Sequence, residues 1–78
     1  MFPMNEPIIR TAFDRISSHI SNIDSIRSIV EELESEDLSI DAVIETLQKK
    51  SEDAEVTLRT DIRILFNECR HLKSRTNI

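Results

Sequence analysis

Few side chains in this chain are of types that do chemistry. Cys69 and His71 stand two residues apart, and His19 lies far from both. Residues two apart on a helix face different directions, so Cys69 and His71 do not converge on one substrate atom. A metal site needs more ligands than these supply. A cysteine in an apolar seam and a histidine on the surface account for both. Arg59 and Arg63 are one helical turn apart, close enough to grip one carboxylate or phosphate. Carboxylates abound, with 15 Asp and Glu in 78 residues. A catalytic pair, however, needs a concave site that separates two environments, which a thin helical protein does not offer. Gly is absent, so no glycine-rich phosphate loop exists. Ser17, Ser18, Ser21, Ser25 and Ser28 read as a solvated helix face. No catalytic, cofactor-binding or metal-binding residue is assigned, and no cofactor is expected. The expected protein is not an enzyme.

These side chains would be carried on helices. Residues 1–6 read as a short leader. Asn5 or Glu6 can cap a helix, and Pro7 suits its first turn. Ile9, Phe13, Ile16, Ile20, Ile23, Ile26, Val30 and Leu33 then recur every three or four residues, the rhythm of a coiled-coil seam. Ile8, Ala12 and Ile29 lie beside it and widen it. The spacing predicts a helix over about 7–35, roughly 42 Å long at 1.5 Å per residue. The rhythm breaks across 35–39. There Ser39 is a good N-cap, and Leu38 and Val43 occupy the two positions of a hydrophobic staple. Asp41 falls in the first turn, where the helix dipole favours negative charge. A second pattern runs Ile40, Ile44, Leu47, Ser51, Ala54, Leu58, Ile62, Leu65, Cys69 and Leu72. It predicts a helix over about 40–73. Its middle is weak, because Ser51 and Ala54 occupy seam positions. No Gly or Pro forces a break there, so one long helix is preferred, with a break near Ser51 as the main alternative.

The expected fold class is all-α: an antiparallel helical hairpin, one domain over 7–78, assembling further into a bundle or coiled coil. Folding back near Asp37 pairs residues whose numbers sum to about 74, with small Ser51 and Ala54 facing large Ile23 and Ile20. The same register pairs Val30 with Ile44, Ile16 with Leu58 and Ile9 with Leu65, and brings Phe2 to Leu72. A continuous rod and a three-helix arrangement are the alternatives. A two-helix hairpin leaves Ile8, Ala12, Ile26, Ile29, Val56 and Phe66 without an intramolecular partner. Repeated Ile in both seam positions favours more than two strands. The expected partner-binding residues are Ile8, Ala12, Phe13, Ile16, Ile20, Ile23, Ile26, Ile29, Leu58, Ile62, Leu65 and Phe66. They would pack against a second copy or a larger protein.

Composition narrows the class further. A net charge of −5 argues against a general nucleic-acid binder, which needs clustered cations to neutralise phosphates. No apolar run approaches the ~20 residues of a membrane span. No cationic stretch followed by an apolar one opens the chain, and the lone cysteine fits a reducing compartment; a cytoplasmic location is expected. Charge is polarised along the sequence. Glu31, Glu32, Glu34, Glu36 and Asp37 gather at the bend. Arg59, Arg63, Arg70, His71, Lys73 and Arg75 gather toward the C-terminus, joined in a hairpin by Arg10 and Arg15. Solvated helix surface explains this pattern; an acidic tip and a basic open end that orient docking explain it too.

At the bend, Ile29, Val30, Leu33, Glu34, Ser35, Asp37, Leu38, Ile40 and Asp41 stand in a recognisable order. They resemble the small subunit of bacterial exodeoxyribonuclease VII. That family reads roughly Ile-Val, two residues, Leu-Glu, a small residue, Gly, an acidic or polar residue, Leu, any residue, Leu-Glu. Glu36 stands where the family has Gly, and Arg27 where it prefers Glu. Lys50 sits near a second family Gly, no aromatic stands near Leu47, and Cys69 lies later than the family's cysteine. The resemblance covers a small part of the chain and implies a non-catalytic helical hairpin that binds a large nuclease subunit. In size and layout the chain is also similar to the small co-chaperones of type III secretion systems. That likeness implies pairing with a larger chaperone to hold a needle subunit.

Overall fold

The computed structural model of the chain describes residues 8–76. Its elements are α1 (Ile8–Ile16), a 3-10 turn (Ser17–His19), α2 (Ile23–Ser35), α3 (Ile40–Asp53) and α4 (Val56–Thr76). No strand occurs among the described residues. The all-α class holds, but each of the two expected long helices is interrupted. The helix expected over 7–35 breaks across 17–22, and the helix expected over 40–73 breaks at 54–55, just past Ser51. A straight helix over 40–73 would be about 50 Å long at 1.5 Å per residue. The described chain measures 36 × 23 × 23 Å. The leader over 1–6 and the contact of Phe2 with Leu72 lie outside the described residues.

Burial is the reason for the breaks. A hairpin hides one stripe per helix and strands the flanks. Folded into four helices, the chain buries Ala12 and Ile26 completely, at 0% exposure each. Hiding an isoleucine side chain is worth about 1.5–3 kcal/mol, whereas each helical hydrogen bond lost at a break costs about 1 kcal/mol net. Side chains replace several of those bonds, as described below.

α4 is the element the others share. α3 packs along it most extensively, and α1 packs on it as well. α2 leans mainly on α1, and α2 and α3 share little. The expected register of Val30 on Ile44 and Ile23 on Ser51 is therefore not formed, because α3 turns back onto α4 instead. The core gathers Ile9, Ala12, Phe13 and Ile16 of α1, Ile26, Val30 and Leu33 of α2, Val43 and Leu47 of α3, and Ile62, Leu65 and Cys69 of α4. In α1 the buried positions follow the i, i+3, i+4, i+7 spacing of an amphipathic helix.

The bend at 36–39 forms as its residues dictate. Asp37 adopts φ +52°, and its amide donates to Glu34 O at 3.2 Å, closing α2. Gly usually fills this left-handed position, and Asp is among the residues that tolerate it. The family motif places its Gly one residue earlier, at Glu36, which here is right-handed at φ −85°. Ser39 caps α3: its Oγ accepts from Ala42 N at 3.3 Å, and its carbonyl accepts from Val43 N at 2.9 Å. Leu38 is half-buried against the core that contains Val43.

Candidate interaction surface

Two polar side chains of α4 hold the two breaks. Asp61 is 4% exposed, and its Oδ2 accepts from Asn22 N at 2.7 Å, Asn22 Nδ2 at 3.0 Å and Ser21 N at 3.1 Å. Ile20 just before is extended, at φ −119°, ψ 153°. The amides freed where the α1 turn ends are thus satisfied by a carboxylate from another helix, which keeps them from being buried unpaired. Arg59 does the reciprocal work at the second break. Its Nε donates to Ser51 O at 3.0 Å and its Nη2 to Ala54 O at 3.1 Å. These are carbonyls at the end of α3, where a cation also suits the dipole. Arg59, one turn from Arg63 and so placed to grip an acidic group, spends its Nε and Nη2 donors on the α3 backbone, although the residue stays exposed. Asp61 has no role in the sequence pattern; its one local signal is its place beside the seam residue Ile62.

Ion pairs tie the helices together. Arg10 bridges to Glu34 and so joins α1 to α2. Arg15 Nε meets Glu68 Oε2 at 2.6 Å and joins α1 to α4. Lys50 Nζ lies 3.2 Å from Glu32 Oε1, and Lys73 contacts Asp41 across α4 and α3. The acidic tip and basic open end expected of a hairpin therefore do not stand at opposite poles, since Arg10 meets Glu34 directly.

Most of the expected partner-binding residues are used within the chain. Ala12, Phe13, Ile16, Ile26, Ile62 and Leu65 are buried in the core. Ile20, Ile23, Ile29, Leu58 and Phe66 are half-buried and packed against it, and Ile8 is half-buried. Ile26 and Ala12, expected to lack an intramolecular partner, have one. Among the described residues, Val56 is the large apolar side chain left in water, 73% exposed.

The outer face of α4 is one of the exposed surfaces, and its composition sets it apart. Val56, Arg59, Arg63, Asn67, Arg70 and Ser74 recur at three- and four-residue steps and are all exposed. They form a stripe about 27 Å long at 1.5 Å per residue. It carries three arginines and no carboxylate of its own, in a chain whose net charge is −5; α3 borders it with Glu52 near Arg59 and Arg63 and with Asp41 near Arg70. Arg70 lies over the Phe66 ring at 5.6 Å, which fixes it in place. Arg63 makes no ion pair among the described residues. The three- and four-residue steps of Arg without Asp or Glu were visible in the sequence.

Other chemistry is sparse. Burial pushes the Cys69 thiol from its ordinary 9.0 up to about 12, with the charge of Glu68 adding to the push. Such a thiol is a packing group rather than a nucleophile. His71 is exposed on the other side of the helix surface, and His19 is exposed near the first break. Among the described residues no three His, Cys, Asp or Glu come together to hold a metal ion. A recess of about 260 Å³ lies where α1, α2 and α3 meet, lined by Ile8, Ile9, Leu33, Leu38, Ile40 and Val43, with Glu34 and Asp37 also in its lining. No helix among the described residues is long and apolar enough to cross a membrane.

The fold and surface define a small all-α protein built around one central helix. Compared with known proteins, the chain matches no family model, no curated protein and no solved structure.

Proposed function

We propose that this chain is a non-catalytic helical interaction subunit that docks an acidic protein surface through the outer face of α4. One observation carries the reading: a stripe of Val56, Arg59, Arg63, Asn67, Arg70 and Ser74 with three arginines and no carboxylate of its own, on an otherwise acidic molecule. Exposed arginines beside an exposed valine are the composition of a docking patch, in which Arg is enriched and Lys depleted. Charge complementarity there steers the partner and sets its orientation. The expectation that the Ile-rich seam meets the partner gives way to this surface, because the seam already packs inside the chain. The reading sets the protein in the cytoplasm, where a lone thiol stays reduced.

The test replaces Arg63 by a photo-crosslinking residue in the chain expressed in its own cells, and identifies what it captures. The purified partner is then titrated against wild type and against the pair Arg63→Glu, Arg70→Glu. The reading expects affinity to fall with salt and to be lost in the charge-reversed pair, with circular dichroism unchanged. Reversal of carboxylates on the partner should restore it. Equal affinity for wild type and the reversed pair, at any salt, overturns the reading.

A further inference from the structure

The apolar periodicity runs through the α3–α4 turn although the helix does not. Wound at 3.6 residues per turn, the buried residues of α3 (Val43, Leu47, Ser51) and of α4 (Asp61, Ile62, Leu65, Cys69) fall in one sector about 100° wide. Closing the break would leave both core faces on the same side of one long helix. The break is two residues, Ala54 and Glu55, neither of them Gly or Pro. Ala54 sits at φ −85°, ψ 157°, so a rotation of ψ alone returns it to the helical region. The turn is held by Arg59, which donates to Ser51 O and Ala54 O. In a continuous helix those same carbonyls accept from the amides of Glu55 and Leu58. Straightening therefore frees Arg59 and leaves neither carbonyl unpaired.

We propose that α4 is exchanged between two copies of this chain: the turn at 54–55 opens into helix, and each α4 packs on α1 and α3 of the other copy. Apart from the Arg59 clasp, every contact that α4 makes within one chain is then made between chains. These include Arg15 with Glu68, Lys73 with Asp41, and Asp61 with Ser21 and Asn22. Exchange of an identical element keeps the native interface and is favoured by a short hinge. The groove between α1 and α3 fits a second copy's α4 because that helix alone brings Asp61, Glu68 and Lys73 to their partners. The stripe from Val56 to Ser74 stays outward in both forms, so exchange and partner docking stand or fall separately.

Light scattering on the full chain tests the exchange. Arg59→Met removes the clasp and is expected to raise the dimer-to-monomer ratio about tenfold after annealing at high concentration. Val56→Pro blocks the open form, because proline fits the first turn of α4 but clashes with the preceding turn of a continuous helix. Added to Arg59→Met, it should return the protein to monomer with its helicity kept. Two tagged copies in a Cys69→Ala background, one with Asp41→Cys and one with Lys73→Cys, should cross-link to each other in the dimer fraction. If Arg59→Met does not fold, heat-annealed wild type with and without Val56→Pro gives the same comparison. A chain that stays monomeric at millimolar concentration overturns the proposal. So does a dimer that survives Val56→Pro, or one in which the cysteines do not join copies.

Discussion

Arg10 Nη2 lies 2.6 Å from Glu34 Oε1, and Arg10 Nε lies 3.0 Å from Glu34 Oε2. On one straight helix these two residues would stand about 36 Å apart. The two-pronged pair therefore reports that α1 has folded back toward the far end of α2. Both side chains are about a quarter to a third exposed, at 31% and 24%. The Glu34 hydrogen bond raises the Arg10 pKa further above its ordinary value, outweighing the cost of burial. A double-mutant cycle of Arg10→Met and Glu34→Gln, read by urea unfolding, should give a coupling of about 1 kcal/mol that shrinks in salt. Zero coupling would mean that the pair does not hold α1 against α2.

Asp61 should be the most sensitive polar residue in the fold. Asp61→Ala strands the amides of Ser21 and Asn22 and is expected to lower stability by about 3 kcal/mol. Asp61→Asn keeps an acceptor and should cost less. Hydrogen exchange offers a local readout: the Ser21 and Asn22 amides should lose protection in Asp61→Ala before the core of α4 does. A loss below about 0.5 kcal/mol would mean that the junction is held by something else.

The bend allows opposite changes two residues apart. Asp37 sits at φ +52°, a region glycine enters without steric cost, so Asp37→Gly should stabilise by about 0.5–1 kcal/mol. Ser39→Ala removes the α3 cap and should destabilise by about 1 kcal/mol. Thermal melts of the two variants should move in opposite directions. Movement in the same direction would contradict the bend geometry.

How far this was legible depends on where each cause sits in the sequence. The bend at 36–39 is legible because Leu38, Ser39, Asp41 and Val43 lie within six consecutive residues. The second break is legible as an alternative, from the small Ser51 and Ala54 in the seam. The first break is not. Ile16, Ile20 and Ile23 keep the helical rhythm through it, no Gly or Pro marks it, and the residue that holds it lies forty positions later at Asp61. The apolar residues expected to dock a partner meet the same limit. Spacing shows that Ile16, Ile26 and Leu65 face something apolar, and it does not say whether that surface belongs to the same chain. Polar residues with long-range jobs, Arg59 and Asp61, carry no local pattern that separates them from solvated charges.

Cys69 makes stability depend on pH in the alkaline range. Its folded pKa is raised from 9.0 to about 12, chiefly by burial. Between those values the unfolded chain releases the thiol proton and the folded chain keeps it, so stability falls as pH rises. The slope contributed by this one group approaches about 1.4 kcal/mol per pH unit. Denaturant midpoints from pH 8 to 11 should therefore fall more steeply for wild type than for Cys69→Ala. Equal slopes would mean the thiol is solvated.

Protein synthesis gives the central place of α4 a temporal meaning. A ribosome delivers α1, α2 and α3 before the helix on which α1 and α3 lean. In that interval the carbonyls that Arg59 will clasp and the amides that Asp61 will hold face water, and the apolar faces of three short helices have no shared scaffold. The nascent chain should therefore stay protease-sensitive until α4 has emerged, and then close in one cooperative step.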